Sequence, residues 1–246
     1  MDSDTDKLRN ILQSKTWFGF DLDDTLHEFR KASRAATTHC LTQIANKNQP
    51  TLEDLQERYS IILRQGTADA FTDGKTSHDY RRARFTATLG HFGLDHDCCC
   101  IDELLHDYER VLVANLTLKP GAISLLQAIK RSDRKIVVIT EGPQDAQERA
   151  VRDLGIQQYI DFLATTNFFG VSKISGLFAK VLHHVAIQPH EMVYIGDSQQ
   201  RDVEPATKEG IYAIHLDEDQ TEPLVLQRRS RYKAEEQLKP SDLEKF

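Results

Sequence analysis

Three aspartates, Asp21, Asp23 and Asp24, fall within four positions of the stretch GFDLDDTL (19–26), directly behind the apolar run Trp17-Phe18-Gly19-Phe20. Carboxylates crowded at a strand end repel one another and raise each other's pKa unless a positive charge compensates them. A second acidic stretch, GDSQQRD (196–202), carries Asp197 and Asp202 behind the apolar MVYIG. Thr140 closes the run KIVVIT, and Lys173 closes FFGVSK. If these segments share one crevice, a hard divalent cation with oxygen ligands resolves the repulsion. Mg²⁺ fits, because it takes one or two carboxylates, waters and substrate phosphate oxygens. Lys173 and Thr140, with backbone N–H groups at a helix start, could hold the remaining phosphate oxygens. A carboxylate can attack as a covalent nucleophile, and a protonated carboxyl two residues away can supply the leaving group's proton. Such a set is equipped for phosphoryl transfer.

The elements that must position these residues follow from the apolar pattern. Residues 16–22 predict a short strand. From roughly 30 to 113 the spacing of residues such as Leu55, Tyr59, Ile62 and Leu63 predicts helices, interrupted by the turn-rich GTADAFTDGKTS (66–77). Beyond Pro120 helices and strands alternate. Helices are expected over 121–129, from Pro143 to about Leu154, over 175–186, and in a short piece closing at Gly210. Strands are expected at 135–140, 162–164, 192–196 and 211–216. That alternation predicts an α/β fold: a doubly wound, mostly parallel, Rossmann-like sheet with an inserted α-helical cap. The expected division is a core of 1–29 plus 114–246 and a cap of 30–113. In such a sheet ligands bind beyond the carboxyl ends of the strands, where the four stretches above all end.

Composition narrows the partners. The chain has 246 residues, 39% hydrophobic and 28% charged, with a formal charge of −7. The acidic balance argues against nucleic acid or an anionic membrane as partner. The polar, acidic start MDSDTDKLRN is unlike a signal peptide, and no apolar run is long enough to span a membrane. Cys40 and the triplet Cys98-Cys99-Cys100 match neither zinc spacing nor a disulfide framework, so the expected setting is the reducing cytoplasm. Oligomeric state is not legible.

On these motifs the chain resembles the haloacid dehalogenase-like superfamily of hydrolases, with a C1-type cap. The resemblance implies Asp21 as nucleophile and Asp23 as general acid/base, from the match to DxDxT. It implies Mg²⁺ held by Asp21, the backbone carbonyl of Asp23, and Asp197. Thr140 would bind the transferring phosphoryl group, Lys173 would neutralise Asp21 and the phosphate, and Asp202 would orient Lys173 or a metal-bound water. Because dehalogenases of this family lack the second acid, Asp23 favours a phosphatase acting on a small phosphorylated metabolite, such as a nucleoside monophosphate or sugar phosphate. A phosphomutase, a 2-haloacid dehalogenase and a non-catalytic phospho-ligand module are the alternatives. Glu141 and the Ile-Ser-Gly after Lys173 depart from the family pattern. Asp24 reads as a turn or capping residue. Lys75, His78, Tyr80, Arg81, Arg82 and Arg84, like His27 and Arg30, are not assigned to the site. The basic run Arg228, Arg229, Arg231 and Lys233 reads as a solvated face.

Overall fold

The computed structural model describes residues 10–47, 50–66, 71–94, 98–216 and 226–227. The basic run at 228–233 lies outside them, as do the first nine residues. Six strands form one sheet in the order β3-β2-β1-β4-β5-β6. They are β1 (Trp17–Phe20), β2 (Lys135–Thr140), β3 (Phe162–Thr165), β4 (Met192–Gly196), β5 (Tyr212–Leu216) and β6 (Leu226–Gln227). The first five pair parallel, while β6 runs antiparallel to β5. A two-residue strand carries no period, so β6 has no signature in the sequence.

β1 is central. Phe20 lies opposite Val138 of β2 and Ile195 of β4, so the carboxyl ends of three strands fall side by side. β2 and β4 are apolar almost throughout because both sheet faces are covered. On one face Phe18, Phe20, Ile136, Val138 and Val193 pack against Leu126 and Ile129 of the helix α5 (Ala122–Arg131). On the other, Val137, Ile139, Met192 and Tyr194 pack against Leu177, Phe178 and Val181 of the helix Leu177–His184. Each such side chain contributes about 1.5–3 kcal/mol when fully buried. That second helix is shorter than the 175–186 expected. Lys173–Ser175 forms a separate 3₁₀ turn, and Ala186 has a φ of 56° that ends the helix.

Between β1 and β2 the chain forms four helices: α1 (Phe29–Lys47), α2 (Leu52–Gln65), α3 (Ser77–His91) and α4 (Cys98–Ala114). Their apolar faces make a separate cluster that includes Ala32, Ala36, Leu41, Leu55, Phe85 and Leu105. α2 and α3 each begin with a capping box, Thr51 with Asp54 and Thr76 with Asp79. Two antiparallel links tie the block to the sheet: the N–H of Glu28 donates to the Thr117 carbonyl, and that of Lys119 to the Leu26 carbonyl, each at 2.9 Å.

A third tie is made by side chains. Asp145 begins the helix α6 (Gln144–Asp153) and accepts hydrogen bonds from the Ser77 N–H (2.9 Å), the Ser77 hydroxyl (2.7 Å) and Arg149 (2.9 Å). Arg149 also reaches Glu109 of α4 at 2.9 Å. Burial opposes ionisation of Asp145, but Ser77 and Arg149 outweigh it and hold its carboxyl below the ordinary 3.8.

Two glycines allow side chains to cross the sheet edge. A Cβ at Gly19 would lie 2.8 Å from Cδ2 of Tyr194, and one at Gly196 only 2.4 Å from Cγ of Asp202. Gly196 thus lets the Asp202 carboxylate fold back over the end of β4.

Two outcomes are expected. Asp145→Asn should cost about 1–3 kcal/mol of stability in urea unfolding, the scale of a charged hydrogen-bond set left half-paired. Because the folded pKa is depressed, wild-type advantage over the variant is full above the ordinary value of 3.8 and disappears as pH falls through the folded value. Gly196→Ala should lower the thermal midpoint by several degrees, corresponding to about 1–3 kcal/mol of overpacking. An unchanged midpoint would mean that the contact with Asp202 is easily relieved.

Candidate active site

Asp21 leaves the end of β1 with its N–H donated to the Ile195 carbonyl at 2.9 Å, which keeps it in register with β4. The residue is only 6% exposed. Oδ1 accepts a hydrogen bond from the Lys173 ammonium, and Oδ2 lies 3.4 Å from the Thr25 hydroxyl. The Lys173 ammonium, also buried, donates a second hydrogen bond to Oδ1 of Asp202 at 2.5 Å. Asp202 further accepts from the Tyr194 hydroxyl at 2.9 Å and the Ser198 N–H at 3.0 Å. Burial alone would lower the Lys173 pKa. Asp202 and Asp21 reverse that and hold the ammonium charged. Burial raises Asp21 well above the ordinary carboxylate range, and Asp202 and Asp23 add to the rise against the opposing pull of Lys173.

Asp197 is half-buried at the end of β4. Its N–H donates to the Thr25 hydroxyl at 3.0 Å, and its carboxylate pairs with Arg30 of α1 at 2.9 Å. Burial, then Asp202, raises its pKa against Arg30 and Lys173. Asp21, Asp197 and Asp202 each offer a carboxylate oxygen within 4.8 Å of the others, a set that could hold a metal ion. All of these donors are oxygens, which suits a hard cation such as Mg²⁺.

Asp23 is half-buried, and its Oδ1 lies 2.9 Å from Nε2 of His27. His27 is completely buried, with Nδ1 lacking a hydrogen-bond partner. Gln147 of α6 donates to Oδ2 of Asp23 at 3.4 Å and accepts from the Thr140 hydroxyl at 3.1 Å. Thr140 is therefore at the end of β2 as expected, but its hydroxyl is engaged with Gln147. Asp24 sits at a φ of 62°, where Asp is one of the tolerated residues. Its carboxylate accepts the Arg30 N–H at 2.9 Å and pairs with the Arg30 guanidinium at 3.1 Å, closing the turn into α1.

Glu141 is held rather than free. It accepts the Lys173 N–H at 2.8 Å and forms an ion pair with Arg201. It thereby fixes the backbone that carries Lys173.

A cavity of about 410 Å³ opens between the sheet edge and the helical block. Asp23, Gly142 and Gln147 line it on the sheet side, and Tyr59, Arg84 and Tyr108 on the helical side. Asp21, Thr140, Lys173 and Asp202 are buried off its lining.

Tyr194 and Gln147 are not among the sequence candidates, and His27, named there but left unassigned, meets Asp23. Tyr194 stands as a polar residue inside an otherwise apolar buried strand, and Gln147 as a buried amide on a helix, which are the signals that could have marked them. Of the cap residues left unassigned, Tyr80, Arg81 and Arg84 line the cavity, as does Arg30. Among the described residues no helix is long and apolar enough to cross a membrane.

Comparison with known proteins bears on the family and the fold. Residues 19–216 match the family model described as haloacid dehalogenase-like hydrolase. The chain is 27% identical over 198 residues to a glyceraldehyde 3-phosphate phosphatase of Methanocaldococcus jannaschii, covering 80% of this chain and 82% of that one. Its fold resembles that of a HAD phosphatase from Thermococcus onnurineus, with a TM-score of 0.65, 22% identity, and coverage of 94% and 96%. It also resembles the HAD-hydrolase YfnB of Bacillus subtilis bound to magnesium, with a TM-score of 0.63, 23% identity, and coverage of 84% and 89%. With its family model running from the end of β1 through β5 and covering both acidic motifs, the chain belongs to the haloacid dehalogenase-like hydrolases.

Proposed function

We propose that this chain is a Mg²⁺-dependent phosphatase that hydrolyses a small phosphorylated metabolite through an aspartyl-phosphate on Asp21. The observation that carries the proposal is the buried Lys173 ammonium bridging Asp21 and Asp202, with Asp23 beside it at the cavity. The activity of the archaeal relative on a triose phosphate supports the same reaction class. In this reading the helical segment 30–113 is a cap that encloses the leaving group.

The residues divide the work as follows. Asp21, the backbone carbonyl of Asp23, and Asp197 would hold Mg²⁺, with Asp202 completing the acidic set. The ion, when bound, neutralises carboxylate and phosphate oxygens together. Lys173 holds Oδ1 of Asp21, leaving Oδ2, 3.4 Å from the Thr25 hydroxyl, as the attacking oxygen. Oδ2 bonds to phosphorus as the ester P–O bond breaks, and the departing alkoxide takes a proton from Asp23. Thr140 exchanges its bond to Gln147 for one to a phosphoryl oxygen. Asp23, now a carboxylate, deprotonates a water that attacks the phosphorus of the aspartyl-phosphate, releasing phosphate and restoring Asp21. His27 orients Asp23 throughout from its position 2.9 Å away. The proton supplied by Asp23 is what an alcohol leaving group needs and a halide does not, so the second acid favours a phosphatase over a dehalogenase.

Phosphate release from p-nitrophenyl phosphate tests the proposal. Asp21→Asn should lower kcat by about a thousandfold or more while leaving the fold intact by circular dichroism. Near-normal turnover would remove the assignment. A chelator should abolish activity, and added Mg²⁺ should restore it. His27→Phe should reduce kcat/KM about tenfold or more on alkyl phosphates, within the range that proton transfer contributes. The loss should be smaller on p-nitrophenyl phosphate, whose leaving group needs little protonation. An equal loss on both would assign His27 to packing instead.

A further inference from the structure

The cavity between sheet and helices is lined by five arginines, and four of them have carboxylate partners. Arg30 pairs with Asp24 and Asp197, Arg81 and Arg149 with Glu109, and Arg201 with Glu141. Arg84 is the exception: among the described residues its guanidinium has neither an ion pair nor a hydrogen bond to a carboxylate. It is not a peripheral side chain. α3 is docked by its first residue, Ser77, onto Asp145 and Arg149, and by Arg81 onto Glu109. Arg84 follows Ser77 by seven positions and Arg81 by three, on the same helical face. Burial raises the Tyr59 and Tyr80 hydroxyls to about 12, and the nearby Arg84 charge works against that rise at both.

Around it the wall is largely aromatic, with Tyr59, Phe71, Tyr80 and Tyr108. A guanidinium in such surroundings has lost part of its hydration without a protein anion to replace it, so a ligand anion placed there gains unusually strong pairing. The cavity's volume of about 410 Å³ exceeds what a single transferring phosphoryl group fills, leaving room for the rest of a small metabolite.

We infer that the leaving-group portion of the substrate carries a second anionic group, a carboxylate or a further phosphate, held by Arg84. This rests on the phosphatase reading of the same site and departs from the archaeal relative, whose named substrate has an aldehyde in that portion. The remaining arginines of the lining hold the wall together through their protein partners, and Arg84 selects the substrate.

The test compares pairs that differ only in the remote anion. 3-Phosphoglycerate against glyceraldehyde 3-phosphate probes a carboxylate. Fructose 1,6-bisphosphate against fructose 6-phosphate probes a second phosphate. The wild-type enzyme should favour the anionic member of one pair in kcat/KM. Arg84→Met should reduce that preference about 10- to 100-fold, the scale of a charge-assisted bond, and Arg84→Lys should recover part of it. Because a ratio is read, partial unfolding of a variant lowers both members and does not imitate the effect. Turnover without a preference for either anionic member, or a preference that survives Arg84→Met, overturns the inference and leaves the phosphatase reading intact. Failure of the wild-type enzyme to release phosphate from any of these compounds or from p-nitrophenyl phosphate overturns both.

Discussion

A lysine ammonium buried between two buried carboxylates sets the terms for the rest of this protein. Removing three charges from water is costly, and Lys173, Asp21 and Asp202 recover that cost only while all three stay in hydrogen-bonding contact. Their positions come from three separate pieces of the chain. β1 delivers Asp21, the 3₁₀ turn after β3 delivers Lys173, and the turn after β4 delivers Asp202. Gly196 makes the last of these sterically feasible, and the Tyr194 hydroxyl, within donating distance of both Asp202 and the Ile139 carbonyl, ties the arrangement to β2. Glu141 secures the backbone of Lys173 from the same edge. The parallel sheet is thus the device that holds the triad, and the triad is the reason the sheet edge cannot drift.

One ammonium does not balance the acids gathered there. Asp23, Asp24 and Asp197 add negative charge, and the nearest answers come from the segment that leaves β1. Arg30 spans Asp24 and Asp197, and His27 meets Asp23. The chain therefore enters the helical block through residues that are already bonded to the site. Burial keeps the pKa values high at Asp21 despite Lys173 and at Asp197 despite Arg30, the electrostatic condition under which a divalent cation gains most. The same coupling means that the helical block and the sheet edge share their charged groups instead of meeting as two independent surfaces.

How much of this could be read in advance depended on whether the residues sit next to one another in sequence or only in space. Asp21 with Asp23, and Asp197 with Asp202, stand within single short motifs behind apolar strands, so their convergence follows from parallel strands ending on one edge. The strand 135–140 and the strand 192–196 were equally plain, because continuous β-branched and apolar runs have few alternatives. Glu141 looked anomalous beside Thr140, and only Arg201 and the Lys173 backbone make sense of it. Thr140 reads in sequence as a phosphate ligand, while its bond to Gln147 depends on a helix that packs across the strand end. The helix before β4 ends at His184, short of its sequence pattern, since the positive φ of Ala186 is not a property its side chain announces.

By itself, the amino-acid sequence determined the α/β alternation, the acidic strand ends and the presence of a lysine able to answer them. Periodicity and spacing along the chain are local properties and survive without a fold. Tertiary structure alone decided which charges neutralise which. Lys173 reaches back 152 positions to Asp21, Arg30 reaches forward 167 to Asp197, and Arg84 is left facing a cavity without a carboxylate partner among the described residues. The physical reason is that an ion pair is selected by distance and by exclusion of water, and neither is defined until the strands have aligned and the helices have closed over them.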